Sequence, residues 1–328
     1  MPKTIINSAL SGFLNRIISL PVSKNRLSIL IFHRVRPEPD PLRQSEIDSA
    51  AFEDYCRLLA RYFNVLPLTE ATRLLVQNRL PRMATSITFD DGYADNATQA
   101  LPVLKKYNLT ATFFIATGFL DGGCMWNDAI IETLRLTKEK RLDLKKLGLD
   151  EYSLESTQNK RLAIAQIIDR LKYLEPNERT IKVQRLVEIC DSRLPDNLMM
   201  TSDQICQMRQ AGMEIGAHTV NHPILASTKY ELAQQEIADG KDYLEDLLNE
   251  KIKIFAYPNG KPNKDYHAEN VRMVRSLGFD AAVSTTWGTA TSYSDIFQLP
   301  RFTPWDRQNL KFYLRLIKNR FKTNYDCI

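Results

Sequence analysis

The sequence lacks the features that mark several protein classes. No run approaches the ~20 consecutive apolar residues of a membrane-spanning helix, so an integral helical membrane protein is excluded. The cysteines, Cys56, Cys124, Cys190, Cys206 and Cys327, number five, and no two are spaced as C-x-x-C. An odd, scattered set is not a disulfide framework and reads as free thiols of a reducing compartment. Neither sign of charge dominates: 44 Lys and Arg face 39 Asp and Glu, a net charge of +5. That is too mild for a nucleic-acid binder, which concentrates basic residues on one face. There is no internal repeat and no low-complexity segment. A signal peptide of ordinary form is also missing, because Asn7, Asn15 and Arg16 break the apolar residues near the start. The expected location is therefore the cytoplasm, or peripheral at the inner membrane face. Lipid-linked and nucleotide-linked glycan precursors are the acetylated sugars available there. Oligomeric state leaves no trace in the sequence.

What is present is ordinary for a globular chain. At 328 residues, 44% hydrophobic and 25% charged, it can build one large α/β domain or two modest ones. Apolar β-rich runs fall at 28–33, 85–89, 112–116, 213–217, 253–256, 281–284 and 298–302. Helical patterns lie between them at 51–63, 69–77, 96–107, 202–211, 229–249 and 265–277. Such alternation implies a mostly parallel sheet, open or closed. Seven strands fit an incomplete barrel better than a full eight-fold one. Residues 1–27 read as an N-terminal amphipathic helix ending before Pro21, and residues 28–328 as the α/β unit. A helical, charged insertion spans about 127–200, with helices predicted at 161–174 and 178–190. It either shapes a substrate cleft or simply caps the domain. Near the C-terminus, Leu310, Tyr313, Leu314, Ile317 and Phe321 recur among basic residues. Both terminal helices can dock on the core; an anionic membrane surface would suit the same pattern.

Histidine is scarce, four in all, so its placement is informative. His218 and His222 share one short loop, Gly216-Ala217-His218-Thr219-Val220-Asn221-His222-Pro223, following a strand. Two imidazoles with one carboxylate form a common catalytic metal set with open positions; two surface histidines in a loop would look alike. In Thr88-Phe89-Asp90-Asp91-Gly92, an apolar strand ends in two adjacent carboxylates. Neighbouring side chains on a strand point oppositely, so these converge only if Gly92 lets the chain turn. One can then bind a metal while the other works as a base. Asp-Asp-Gly is equally common turn chemistry. His33 ends the strand Ile29-Leu30-Ile31-Phe32, placed either as a general acid or as a hydrogen-bonded structural histidine. His267 lies in a polar, helical stretch and reads as solvated. Tyr257-Pro258-Asn259-Gly260 follows another strand; it is a tight loop whose amides can face an oxyanion, or an ordinary turn. Arg301 ends the last strand, where it can hold a carboxylate charged or sit at the surface. Trp126, Trp287 and Trp305 can stack on sugar faces or fill the core.

Taken together, T-F-D-D-G at 88–92 and H-T-x-x-H at 218–222 resemble the polysaccharide deacetylase family, carbohydrate esterase family 4. The resemblance covers about 28–125 and 201–305. It implies a distorted seven-stranded (β/α) barrel, Asp90 as catalytic base, and Asp91, His218 and His222 as ligands of a divalent metal, Zn2+ first, with Co2+, Ni2+ or Fe2+ as alternatives. The chain departs from the family pattern in its third motif, where Ala256 replaces an arginine and Asn259 a tyrosine. The fourth motif is reduced, and no histidine follows His267. The poly-β-1,6-N-acetylglucosamine deacetylase subgroup takes its acid histidine from an early strand, and Leu30-Ile31-Phe32-His33-Arg34-Val35 resembles that element. His33 is therefore the expected acid, Arg301 the replacement for the lost arginine beside Asp90, and the Asn259 amide the oxyanion donor. Tyr257, Trp126 and Trp287 are the expected substrate contacts. The implied partner is an N-acetylated glycan. Two further readings remain: an amidohydrolase of small cyclic amides or imides with the same site, and a non-catalytic glycan-binding protein of the same fold.

Overall fold

The β-branched and aromatic runs become strands that are buried on both faces, the pattern of a parallel sheet covered by helices. The computed structural model describes residues 25–306 and 308–328; the expected helix within 1–27 lies outside the described residues. Seven parallel strands form the frame: β1 (Arg26–Phe32), β2 (Ala84–Phe89), β3 (Thr112–Ile115), β4 (Glu214–Ala217), β5 (Ile254–Ala256), β6 (Ala281–Trp287) and β7 (Leu299–Arg301). They pair in sequence order. The ring closes at one end only, where the Ile31 N–H donates to the Phe302 carbonyl at 3.0 Å and the Phe302 N–H to that of Ile29 at 2.7 Å. At its other end β1 is met instead by the antiparallel strand Ala290–Thr291. This wedge makes the barrel distorted, as expected.

Strand alternation sorts the apolar side chains into two clusters. Leu30, Phe32, Ile87, Phe89, Phe113, Ile215 and Phe255 pack outward against helices α1 (Ser49–Tyr62), α3 (Leu101–Lys106), α8 (Tyr230–Leu248) and α9 (Ala268–Ser276). Leu27, Ile29, Phe114, Ile254, Val283 and Leu299 face the opposite way, into the ring, whose lower end is covered by α2 (Leu68–Val76). Each such burial stabilises the fold by ~1.5–3 kcal/mol before chain entropy is counted.

Local signals set the helix limits. Asp48 caps α1 by accepting from the Ala51 N–H at 2.9 Å. Thr201 and Gln204 form a reciprocal capping box at the start of α7 (Ser202–Gln210). Asn249, in the left-handed conformation, ends α8. The C-terminal helix α10 (Asn309–Asn319) buries Phe312, Tyr313 and Leu316 against α1, with Tyr55 and Phe312 stacked at 4.0 Å. Of the stripe noted in the sequence, Tyr313 is buried and Ile317 partly buried, while Leu310, Leu314 and Phe321 stay exposed. Among the described residues, no helix is long and apolar enough to cross a membrane.

Between β3 and α7 the chain leaves the barrel rhythm and builds a lobe with its own core. Helices α4 (Trp126–Leu136), α5 (Thr157–Leu171) and α6 (Pro176–Ile189) enclose Ile130, Leu134, Ile167, Val183 and Leu186. The lobe is not purely helical: Arg141–Asp143 and Glu151–Ser153 pair as an antiparallel hairpin. It is tied to the barrel by Arg135, whose guanidinium grips Asp40 at 3.0 and 2.6 Å.

Candidate active site

Every candidate polar residue of the strand-end motifs lies at the C-terminal mouth of the ring, where loop side chains converge. After β2 the chain reverses sharply, with Asp91 at φ +78° and Gly92 at φ +92°. A non-glycine residue held at positive φ is strained. Here the strain separates two adjacent carboxylates into different jobs. Asp90 continues the strand, its N–H donating to the Phe32 carbonyl at 2.9 Å. Asp91 turns toward the histidine loop.

That loop is braced from three sides. The Thr117 and Gly118 N–H groups donate to the Thr219 and Val220 carbonyls at 3.2 and 2.9 Å. The buried carboxylate of Glu236, from α8, accepts from the N–H groups of Val220 (3.1 Å) and Asn221 (2.7 Å) and from Asn221 Nδ2 (2.7 Å). Thr219 and His222 take positive φ, +66° and +51°, and the Thr219 hydroxyl accepts from the His222 N–H at 3.1 Å.

The result brings Asp91, His218 and His222 together, with their ligand atoms all within 4.8 Å of one another. His218 Nε2 and His222 Nε2 lie 3.4 and 3.5 Å from Asp91 Oδ1. His218 Nδ1 is 2.7 Å from the Ala256 carbonyl, which only accepts, so Nδ1 carries the proton. Nε2 of the neutral ring therefore presents a lone pair to Asp91. Asp91 Oδ1 is itself buried without a hydrogen-bond partner. Three acceptor atoms facing one point repel one another unless a proton or a cation sits among them. The donor set suits a divalent cation of the zinc type, and the second-shell carbonyl fixes the tautomer such a ligand needs.

The two imidazoles differ in their electrostatics. Burial, helped by the charges of His218 and His33 and opposed by Asp91 and Asp90, drives the pKa of His222 down to about 4, so its ring is neutral and ligand-ready near pH 7. Burial opposes ionisation of Asp91, but His218, His222 and His33 outweigh it and hold its carboxyl well below the ordinary range. Burial disfavours a charged His218, yet Asp91, Asp90 and the Ala256 carbonyl prevail and raise its pKa.

Asp90 stands beside this cluster in a different setting. Arg301, fully buried, donates Nη1 to Asp90 Oδ1 and Nη2 to Oδ2, both at 2.7 Å. Its Nε donates to the Ser284 carbonyl at 2.8 Å, and Nη1 also reaches Thr88 Oγ1 at 3.2 Å. Burial pushes the Asp90 pKa up, but Arg301 and then His218 more than compensate, leaving it below the ordinary value.

His33 follows β1 with an exposed side chain, close enough for its charge to act on Asp90, Asp91 and His222. Its backbone is pinned by residues the sequence reading passed over. Buried Asn96 donates Nδ2 to the His33 carbonyl at 2.9 Å. Asp95 accepts from Arg34 Nε at 2.7 Å and from the Val35 N–H at 3.2 Å. Asn96 opens a single π-helical turn, Asn96–Ala100, a feature common at functional sites.

Asn259 sits after β5 at φ +58°, and its carbonyl accepts from Thr285 Oγ1 at 2.6 Å. Tyr257 requires correction as a substrate contact. Its ring is fully buried, stacked on Tyr266 at 4.0 Å and edge-on to Phe255, with no face left for a sugar. Phe255 and Tyr257 are two apart on one extended segment, which is the periodicity that marks a core face. Trp126 lies on α4 of the inserted lobe under the Arg179 guanidinium. Trp287 ends β6, stacked on half-exposed Trp305 at 4.5 Å. His267 is the N-terminal cap residue of α9, its N–H donating to Asn270 Oδ1 at 2.8 Å.

A clamped carboxylate beside a carboxylate–imidazole cluster, at the mouth of a (β/α) barrel, defines a hydrolase of the barrel type. The family profile for polysaccharide deacetylases matches residues 77–161 and 176–282. YxkH of Bacillus subtilis (strain 168), described as a polysaccharide deacetylase, is 23% identical over 278 residues, covering 84% of this chain and 70% of that protein. Among solved structures, the deacetylase PplD of Streptococcus pyogenes, in complex with acetate, superposes with a TM-score of 0.61 at 21% identity, covering 90% of this chain and 99% of that one. IcaB of Ammonifex degensii gives 0.57 at 19% identity, with 90% and 97% covered; these likenesses show the shared fold. The chain belongs to the polysaccharide deacetylase family and is an N-deacetylase, a hydrolase.

Proposed function

We propose that the chain removes N-acetyl groups from an amino-sugar-containing glycan, using a divalent cation, Zn2+ foremost, held by Asp91, His218 and His222. The observation that carries this reading is the buried, unpartnered Asp91 Oδ1 facing two imidazole nitrogens at 3.4 and 3.5 Å. When bound there, such a cation supplies Lewis acidity to the acetamide carbonyl and to the attacking water.

The chain's own groups divide the remaining work. Asp90 takes the proton from the attacking water; its two-pronged pair with Arg301 keeps it anionic and fixes its position. Arg301 takes one lone pair on each Asp90 oxygen and leaves the others to accept from the water. The Asn259 amide donates to the developing oxyanion. His33, protonated, passes a proton to the departing amine. The exposure of its side chain suits a residue that must reach substrate. Trp287, with Trp305, offers an aromatic face for a neighbouring sugar.

Release of acetate from N-acetylglucosamine oligomers by the metal-reconstituted protein tests the reading. Acetate production that disappears in Asp90→Asn supports it. A fully metallated protein that instead opens small cyclic amides and leaves every N-acetylated glycan intact would contradict it.

A further inference from the structure

Four arginines are buried in the described chain: Arg34, Arg179, Arg301 and Arg320. Burying a guanidinium is costly unless it is paired or fully hydrogen-bonded. Arg34 and Arg301 are paired with Asp95 and Asp90. Arg320, which has no ion pair among the described residues and whose Nε is buried without a partner, places its two Nη atoms on Ser28 Oγ (3.3 Å) and on the carbonyls of Ala84 and Arg26 (3.0 Å each). Of the four, Arg179 has the fewest partners and alone lines a groove. Its side chain makes one hydrogen bond, from Nη1 to the Lys172 carbonyl at 3.2 Å, and its Nε is buried without a partner. Glu175, whose charge reaches it, lies beyond ion-pair distance and instead caps α6 by accepting from the Glu178 N–H at 3.0 Å. Burial outweighs the charge of Glu175 and pulls the Arg179 pKa below the ordinary arginine value.

This unbalanced cation lines a groove of about 980 Å³ between the inserted lobe and the barrel. Trp126 lies under the guanidinium, 4.8 Å from its carbon to the ring centroid. Across the groove stand Asn221 and Pro223, the residues on either side of His222. The groove therefore starts at the same loop that carries the metal-type cluster, yet contains none of that cluster's residues. Two acids also line it, and both are occupied. Glu236 accepts the three N–H groups of the histidine loop, and Glu188 is paired with Arg185 at 2.9 Å. What the groove offers is an aromatic face and a desolvated, planar cation with donors to spare. Arg is suited to recognise carboxylate and phosphate oxygens, since its fork matches their geometry.

We propose that this groove is a glycan subsite for an anionic group, the carboxylate of an acidic sugar or a phosphate ester, and that Arg179 recognises it while Trp126 stacks beside it. The groove's occupant is taken to be a glycan on the deacetylase reading of the adjoining centre. The inserted lobe thus sets substrate choice rather than merely capping the barrel.

Calorimetric titration of the whole protein with three probes tests this. The neutral probe is the β-1,4-linked tetramer of N-acetylglucosamine. The two charged probes are a tetrasaccharide alternating N-acetylglucosamine with glucuronate, and uridine diphosphate N-acetylglucosamine. At least one charged probe should bind about tenfold or more tightly than the neutral one, and which of them does so separates carboxylate from phosphate recognition. Arg179→Gln should erase that preference without changing the affinity for the neutral tetramer, and Arg179→Lys should keep part of it. A wild type with no preference, or an Arg179→Gln protein that retains it, overturns the proposal. Should Arg179→Gln not fold, the wild-type preference must still shrink as salt is raised from ~50 to ~500 mM, because ion pairing is screened; a salt-insensitive preference also overturns it. His218→Ala/His222→Ala should keep the charged preference while losing acetate release, which separates failure of this subsite from failure of the metal reading.

Discussion

Arg301 and Asp90, 211 residues apart in the chain, meet in a two-pronged ion pair with both arms at 2.7 Å and both side chains buried. The pair joins the last strand of the barrel to the second and fixes the orientation of both carboxylate oxygens. It makes the base a property of barrel closure rather than of its own loop.

Removing one partner leaves a buried charge uncompensated, which costs ~3–5 kcal/mol. Arg301→Met should lose stability of that order in denaturant unfolding. Asp90→Asn/Arg301→Met should recover part of it. The pair holds the folded pKa of Asp90 below its ordinary value, so its stabilisation is present above that ordinary value and is lost as pH falls through the folded one. Without Arg301 the pKa rises, and the acid limb of the pH–rate profile should move to higher pH. An unmoved limb would separate Asp90 from the base role.

Asp128 titrates in the opposite sense. Burial, aided by the charge of Asp91, lifts its pKa to about 6 against the pull of Arg34, while Tyr93 donates its hydroxyl to Oδ2 at 2.9 Å. A raised carboxyl pKa makes the fold lose stability as pH rises from ~4 through 6, by at most about 3 kcal/mol for a two-unit shift. Asp128→Asn, which still accepts from Tyr93, should raise the melting temperature at pH 8 and leave it unchanged at pH 4. Equal effects at both pH values would show that Asp128 is not the titrating group.

Gly240 lies under the histidine loop. A Cβ added there would stand 2.8 Å from the Thr219 carbonyl carbon and 2.9 Å from its oxygen, both backbone atoms that cannot swing away. Alanine ordinarily stabilises a helix interior by ~1 kcal/mol over glycine. Here overpacking should win, with a net loss of ~1–3 kcal/mol and weaker metal retention on dialysis. A Gly240→Ala protein more stable than wild type would refute the packing account.

Asn96 holds His33 through a single bond to its carbonyl. Asn96→Ala should lower acetate release at least ~10-fold by loosening the proposed acid, at a stability cost of ~1–3 kcal/mol for the unpaired group. Metal content should not change. Full activity at full metal content would remove His33 positioning from the mechanism.

The seven strands were legible because each is a short apolar run bounded by turn chemistry, and their order left little but a parallel barrel. The acid motif and the histidine motif were each legible because their functional residues, Asp90 with Asp91 and His218 with His222, lie within five positions of each other. What escaped the sequence is pairing across long separations. Glu236 reads as one more acid on an amphipathic helix, and only the fold shows its two oxygens bound to the histidine loop. Asn96 and Arg179 are hidden in the same way. The hairpin of the inserted lobe escaped because each strand has three residues and one inward side chain, Leu142 and Tyr152, too few to display a period of two. Tyr257 misled because a strand end and a loop start look alike in sequence, while its ring belongs to the core with Phe255.

The central claim is that Asp91, His218 and His222 hold a divalent cation. Metal analysis of the purified protein, beside His218→Ala/His222→Ala, tests it without any choice of substrate. The account predicts about one divalent ion per chain in the wild type, by the three-ligand chemistry of such centres, and none retained by the double variant. A wild type that binds no ion after reconstitution with zinc, cobalt or nickel, or a double variant that keeps its full complement, would contradict it.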